Sequence, residues 1–226
     1  MFRYQSAILL RSHRWILPVI AYAALVGAGS AGGGASPLSG GLGWSAAMLV
    51  PVVAFLTRSM LTAEPDAARA CVAAAAGPAR AQLAALLTAL GGGVVLAVAG
   101  AVIEVLTCDS VMRAPLATEG DKITATAAHP QVLLAGLATA AVCLLVATAV
   151  GALLNPPLLR HPGLAILSTL TAVIVALVSD VSPAGAALRH VAASPAAQWP
   201  GTEPLVAALG LAAVAWTASA LAAARR

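Results

Sequence analysis

Apolar residues in this chain come in long unbroken runs, not in strand-like alternation or on one face of a soluble helix. Six runs stand out, at about residues 15–34, 43–61, 83–108, 130–154, 163–181 and 204–224. A hydrocarbon core of roughly 30 Å takes about 20 mostly apolar residues to cross as a helix. Each run meets or approaches that length, and the third and fourth exceed it, which implies tilt or overhang. The pattern predicts an all-α integral membrane protein with six transmembrane helices in a single domain over 1–226. No signal-type cleavage site follows the first run, so it is read as a retained helix.

The breaks between runs differ in character. Asn155–His161, with Pro156 and Pro157, reads as a tight turn, and Asp109–His129 as a longer loop holding five charged residues. Ser182–Glu203 carries Pro183, Pro195 and Pro200. Within it, Ala184–Ala193 reads either as a short helix lying on or dipping into the membrane, or as plain loop. A dipping segment needs protein or water around its backbone.

Composition strengthens the membrane reading. Of 226 residues, 61% are hydrophobic and 9% charged, against about 25% charged in soluble domains; the mean hydropathy is +0.95. So few charges cannot cover a soluble globule, which excludes a soluble enzyme, a disordered chain and a nucleic-acid partner. The net charge of +4 instead reports topology. With the N-terminus inside, the cytoplasmic segments hold Arg3, Arg11, Arg14, Arg58, Arg69, Arg80, Arg160, Arg225 and Arg226, and the outer ones only Arg113, Lys122 and Arg189. That asymmetry places both termini in the cytoplasm.

Lipid supplies no hydrophobic force between helices, so close packing depends on small residues. Span three carries Ala85, Ala89, Gly93, Ala97 and Ala101 at four-residue spacing. Span four carries Ala135, Thr139, Cys143, Ala147 and Gly151 in the same register. Each row is a candidate packing face, toward another span or a second copy.

Catalytic patterns are missing. Lys122 is the only lysine and follows no glycine-rich turn, so the chain has no phosphate-binding loop of its own. His13, His129, His161 and His190 lie in separate connecting segments, and Gly34-Ala35-Ser36 has no intramembrane histidine to serve as a base. Cys71, Cys108 and Cys143 are widely spaced with no metal-binding pattern, so neither a disulfide nor a metal site is expected. The chain therefore reads as a non-enzyme that binds no cofactor itself. The middles of the spans carry no charge. Glu104 and Asp180, near the outer ends of spans three and five, read as solvated at the interface or as lining an outer vestibule. A self-powered carrier places coupling groups near the midplane, so energy must come from elsewhere.

The loop Thr57–Gln82 is the informative segment. Pro65 suits a first helical turn, and Glu64 and Asp66 complement the positive end of a helix dipole. Arg69 and an alanine run follow, and Gly77-Pro78 stops the helix. This predicts a short cytoplasmic helix between spans two and three, leading directly into span three.

Several of these segments resemble one family. The opening R-S-H-R-W-I-L-P of Arg11–Pro18, the run Trp44–Arg58, the acidic Glu64, and Gly77-Pro78-Ala79-Arg80 before span three look like the small six-helix permease subunits of bacterial ATP-binding-cassette (ABC) exporters of the drug and antibiotic type. The loop lacks the dense Glu/Arg cluster common in that family. The resemblance implies that the loop helix is a coupling helix in the cell membrane, on which a separate ATPase subunit docks around Glu64, Asp66, Arg69 and Arg80. It implies ATP and Mg on that partner, and a second permease copy or a sister permease completing the pathway in the lipid bilayer. A non-catalytic accessory subunit anchoring some other complex is the alternative.

Overall fold

The fold is a computed structural model that describes residues 4, 5, 7, 11, 13, 15–31, 38–63, 66–112, 129–154, 161–193 and 201–225. Among these, the regular elements are all helices: α1 (Ile16–Ala31), α2 (Leu38–Leu61), α3 (Asp66–Ala76), α4 (Pro78–Met112), α5 (His129–Leu153), α6 (Pro162–Val178), α7 (Pro183–Ala193) and α8 (Glu203–Ala224). Four of them, α2, α4, α5 and α8, are long and apolar enough to cross a membrane, and α6 with α7 forms a fifth candidate bent by 45°. The 16-residue α1 is apolar but short, about 24 Å at 1.5 Å per residue.

α2 and α5 form the centre. Each buries most of its length, and α2 makes its most extensive contacts with α5 and then α4. α1 lies on α2, while α8 packs on α5 and α4. The buried faces of α4, α5 and α8 are rich in small residues, while α2 brings larger ones such as Leu49, Val53 and Leu56 to the centre. The buried positions include Ala89, Ala97, Ala135, Thr139, Cys143, Ala147, Ala208, Ala212 and Ala215. The exposed ones include Val95, Val98 and Leu106 on α4, Leu167 and Ile174 on α6, and Val214 on α8. In water, apolar patches on that scale drive association; in lipid they are the solvated surface, and the small residues inside let the backbones approach.

Both small-residue rows face inward, and both meet α2. Gly93 is where three helices converge. A Cβ there would stand 2.7 Å from Leu144 Cδ2 and 3.1 Å from Val53 Cγ2. A Cβ at Gly136 would meet Leu42, and one at Gly151 would meet Thr57. The rows are thus internal faces of one bundle. Buried hydroxyls within it are satisfied by their own helices: Thr57 donates to the Val53 carbonyl at 2.8 Å, Thr88 to Ala84 at 2.8 Å and Thr139 to Ala135 at 2.9 Å. This is how a helix carries threonine through an apolar core without an orphan donor.

Two of the open segments take definite form. Ala184–Ala193 is not plain loop but most of α7, whose Ala184, Ala187 and Val191 are buried. It rests on α5, α2, α8 and α6, so protein covers the inner side of its backbone. α2 begins at Leu38, five residues before the expected start, and takes in Gly40, Gly41 and Gly43. The loop 113–128 and the turn 155–160 lie outside the described residues.

Candidate functional site

The segment joining α2 to α4 is built from local chemistry. α2 ends at Leu61, where the last carbonyls of a helix lack intrahelical donors. The Arg69 guanidinium donates to the Leu61 carbonyl, tying the middle of α3 back to the end of α2. The Thr62 amide and hydroxyl both donate to the Arg58 carbonyl, at 3.0 and 2.9 Å. α3 then runs to Ala76 and is closed by Gly77, whose φ of +87° is left-handed and so suits a residue without a Cβ. The Gly77 amide donates to the Ala73 carbonyl at 2.9 Å, and Pro78 starts α4 at once. No residue of α3 with a described side chain is fully buried, and the helix packs against α4.

Of the four residues expected to dock a partner, Arg69 is engaged with α2 and Arg80 is exposed on the first turn of α4. Asp66 opens α3, but its side chain lies outside the described residues, as does Glu64. Arg69 therefore positions the helix, a role that loop composition alone does not reveal.

α1 is fastened to α2 by two hydrogen bonds, each passing over a glycine. Trp44 Nε1 donates to the Leu25 carbonyl at 3.0 Å, and its indole lies where a Cβ of Gly29 would be. The Tyr22 hydroxyl donates to the Ser45 carbonyl at 3.4 Å and fills the space beside Gly100 of α4.

One turn beyond Gly100 is Glu104. An interfacial carboxylate would be open to headgroups, but Glu104 is only 3% exposed, with its carboxylate against Gly41. Gly41 lies in the first turn of α2, where the peptide dipoles leave partial positive charge. The missing Cβ leaves room for the carboxylate there. Asp180 is different: it is exposed at the α6–α7 corner and pairs with Arg189 at 2.7 Å, while Arg189 also donates to its carbonyl at 3.1 Å. Among the described residues the two carboxylates have separate surroundings, Glu104 at the first turn of α2 and Asp180 at the α6–α7 corner. Ala89, Gly93 and Ala97 lie on the buried face of α4. Among the described residues, no group of three or more His, Cys, Asp or Glu side chains could hold a metal.

Large apolar side chains exposed along the helices, and four or five helices long enough to span, define the class: a multi-pass α-helical membrane protein. No family model, no curated protein and no solved structure matches the chain.

Proposed function

We propose that this chain is the permease subunit of a bacterial ABC exporter, contributing the translocation pathway in the cell membrane while a separate ATPase subunit hydrolyses ATP with Mg. On this reading α1 and the bent α6–α7 pair complete six spans, both termini face the cytoplasm, and α3 is the coupling helix. A second copy or a sister permease supplies the other half of the pathway.

The observation that carries the reading is α3 itself. It stands on the side of α4, pinned to the end of α2 by Arg69 and joined to α4 through a single left-handed glycine. A short helix outside the core, tied to two spans, suits a docking element: a partner that grips it differently in two states shifts the equilibrium of the spans it is tied to.

The test is gentle extraction of the chain from its native membrane, affinity capture and mass spectrometry of its companions. The reading expects a soluble ATPase with a phosphate-binding lysine in comparable amount. Arg80→Glu should insert normally and lose that companion and its stimulated ATP hydrolysis. Full stimulation in the variant, or capture with a complex lacking any ATPase, would favour the accessory-subunit alternative.

A further inference from the structure

We propose that the glycine-rich start of α2, residues 38–43, is a conditional piece of helix: it stays wound while the Glu104 carboxylate of α4 lies against Gly41, and unwinds when α4 carries that carboxylate away. Three of its six residues, Gly40, Gly41 and Gly43, are glycine. Glycine loses more backbone freedom in a helix than any other residue, so the stretch has little tendency to be helical by itself. It is nonetheless helical from Leu38.

What offsets that weakness comes from other helices. Leu42 is buried against Val132 and Ala135 of α5, which holds one side of the stretch in place. Glu104 supplies a second hold. Nearest to where a Cβ of Gly41 would stand are Glu104 Oε2, then its Cδ at 3.0 Å and its Cγ at 3.7 Å, so the side chain reaches α2 with its carboxylate first. The first turn of a helix leaves amide N–H groups without intrahelical acceptors and carries partial positive charge. A carboxylate there favours the wound form, because unwinding disperses the aligned dipoles that face it.

The register between α2 and α4 makes this hold depend on position. Contacts advance along α4 as they retreat along α2: Gly92 is level with Leu56, Gly93 with Val53, Gly100 with Ser45 through Tyr22, and Glu104 with Gly41. One helical turn is about 5.4 Å. A slide of α4 by one turn toward the middle of α2 brings Glu104 level with Ser45, where the amides are already bonded within the helix. A slide the other way takes it past Leu38. Either movement removes the carboxylate from the first turn, so the winding of 38–43 follows the position of α4. The inference does not depend on the transport reading.

The test is hydrogen–deuterium exchange of the full chain in mild detergent, read by mass spectrometry. The amides of residues 42–45 bond back to the carbonyls of 38–41, so their exchange reports whether the start of α2 is wound. Peptides from the middle of α5, around Cys143, serve as the reference. Glu104→Gln keeps the shape and removes the charge, so 42–45 should exchange about two- to thirty-fold faster, the range for an anion at a helix start, while α5 keeps its rate. An unchanged rate over 42–45, or equal acceleration in α5, would overturn the proposal. A second comparison does not depend on recovering E104Q. Alanine in place of glycine slows helix opening by about two- to five-fold. Gly43→Ala should show that slowing, because a Cβ there meets Val191 Cγ1 at an ordinary 3.7 Å. Gly41→Ala should not, because its methyl displaces the Glu104 carboxylate; with Glu104→Ala as background, G41A should slow exchange as G43A does. Equal slowing by G41A and G43A with Glu104 present would equally overturn it.

Discussion

Replacing Gly151 with alanine puts one methyl group into the seam between α5 and α2, and the cost can be worked from the contacts. The new Cβ would stand 2.6 Å from Thr57 Cβ and 2.7 Å from Thr57 Cγ2, where ordinary contact begins near 3.4 Å. Thr57 Cβ is bonded to the α2 backbone, and its hydroxyl is held by the Val53 carbonyl at 2.8 Å. A rotamer change cannot move that Cβ, so the two helices must part. Overpacking of this kind costs about 1–3 kcal/mol. Alanine returns about 0.5–1 kcal/mol over glycine within a helix, which leaves a net loss of up to about 2.5 kcal/mol. Gly210 in α8 is the control, because a Cβ there meets nothing within 4 Å. G210A keeps only the propensity gain and should be neutral or more stable by up to about 1 kcal/mol. Unfolding in mixed micelles by titration with SDS, followed by far-ultraviolet circular dichroism, should give G151A a lower midpoint than wild type and G210A an equal or higher one. If G151A matched or exceeded G210A, the seam would not be packed as described and the reasoning would fail.

Two further outcomes follow from single contacts. Trp44→Phe keeps a smaller aromatic ring and removes the 3.0 Å bond to the Leu25 carbonyl, so the same titration should show a loss of at least about 0.5–1.5 kcal/mol; an unchanged midpoint would mean that this bond does not fasten α1. Cys71 is exposed and Cys143 fully buried, so a membrane-impermeant maleimide, read peptide by peptide, should label Cys71 in the native protein and Cys143 only after SDS. Comparable labelling rates would contradict the packing of α5, and labelling of Cys71 in sealed vesicles from the outer face alone would contradict the proposed cytoplasmic placement of α3.

Hydropathy along the chain found the helices better than it found their partners. α5 occupies His129–Leu153 against an expected 130–154, and α8 Glu203–Ala224 against 204–224, because apolar length is a signal each segment carries by itself. The errors are local and have physical causes. Gly40, Gly41 and Gly43 resemble loop, yet they lie in α2; Gly41 makes room for Glu104, and Gly43 faces Val191. Arg80 and Gln82 lower the hydropathy ahead of span three, yet the helix already runs from Pro78, and Gln82 donates to Ser219 of α8 at 2.9 Å. The small-residue rows of α4 and α5 are visible as four-residue spacing. Their partners Leu42, Val53 and Thr57 are not, since a contact between distant segments leaves no period in either one. The same holds for Trp44 over Gly29 and Tyr22 over Gly100. Arg69 stands out in the sequence only as a charge, and its bond to Leu61 depends on the chain folding back between α2 and α3.

The loop between α2 and α4 acquires its mechanical meaning from those hidden contacts. α3 is held at two points, by Arg69 on the Leu61 carbonyl and by Gly77 running directly into Pro78. A force on α3 is therefore divided between α2 and α4. Those two helices meet where a Cβ at Gly92 would be 3.0 Å from Leu56 Cδ2 and one at Gly93 would be 3.1 Å from Val53 Cγ2. There is no slack in that seam to absorb a displacement, and packed interiors resist compression. The available response is for α4 to slide or rotate on α2, carrying with it Gly100 and Glu104, against which Tyr22 and Gly41 rest. On the proposed reading, a partner that loads α3 at one end of the bundle would thereby rearrange the α1–α2–α4 contacts at the other, with no charged group needed at the midplane.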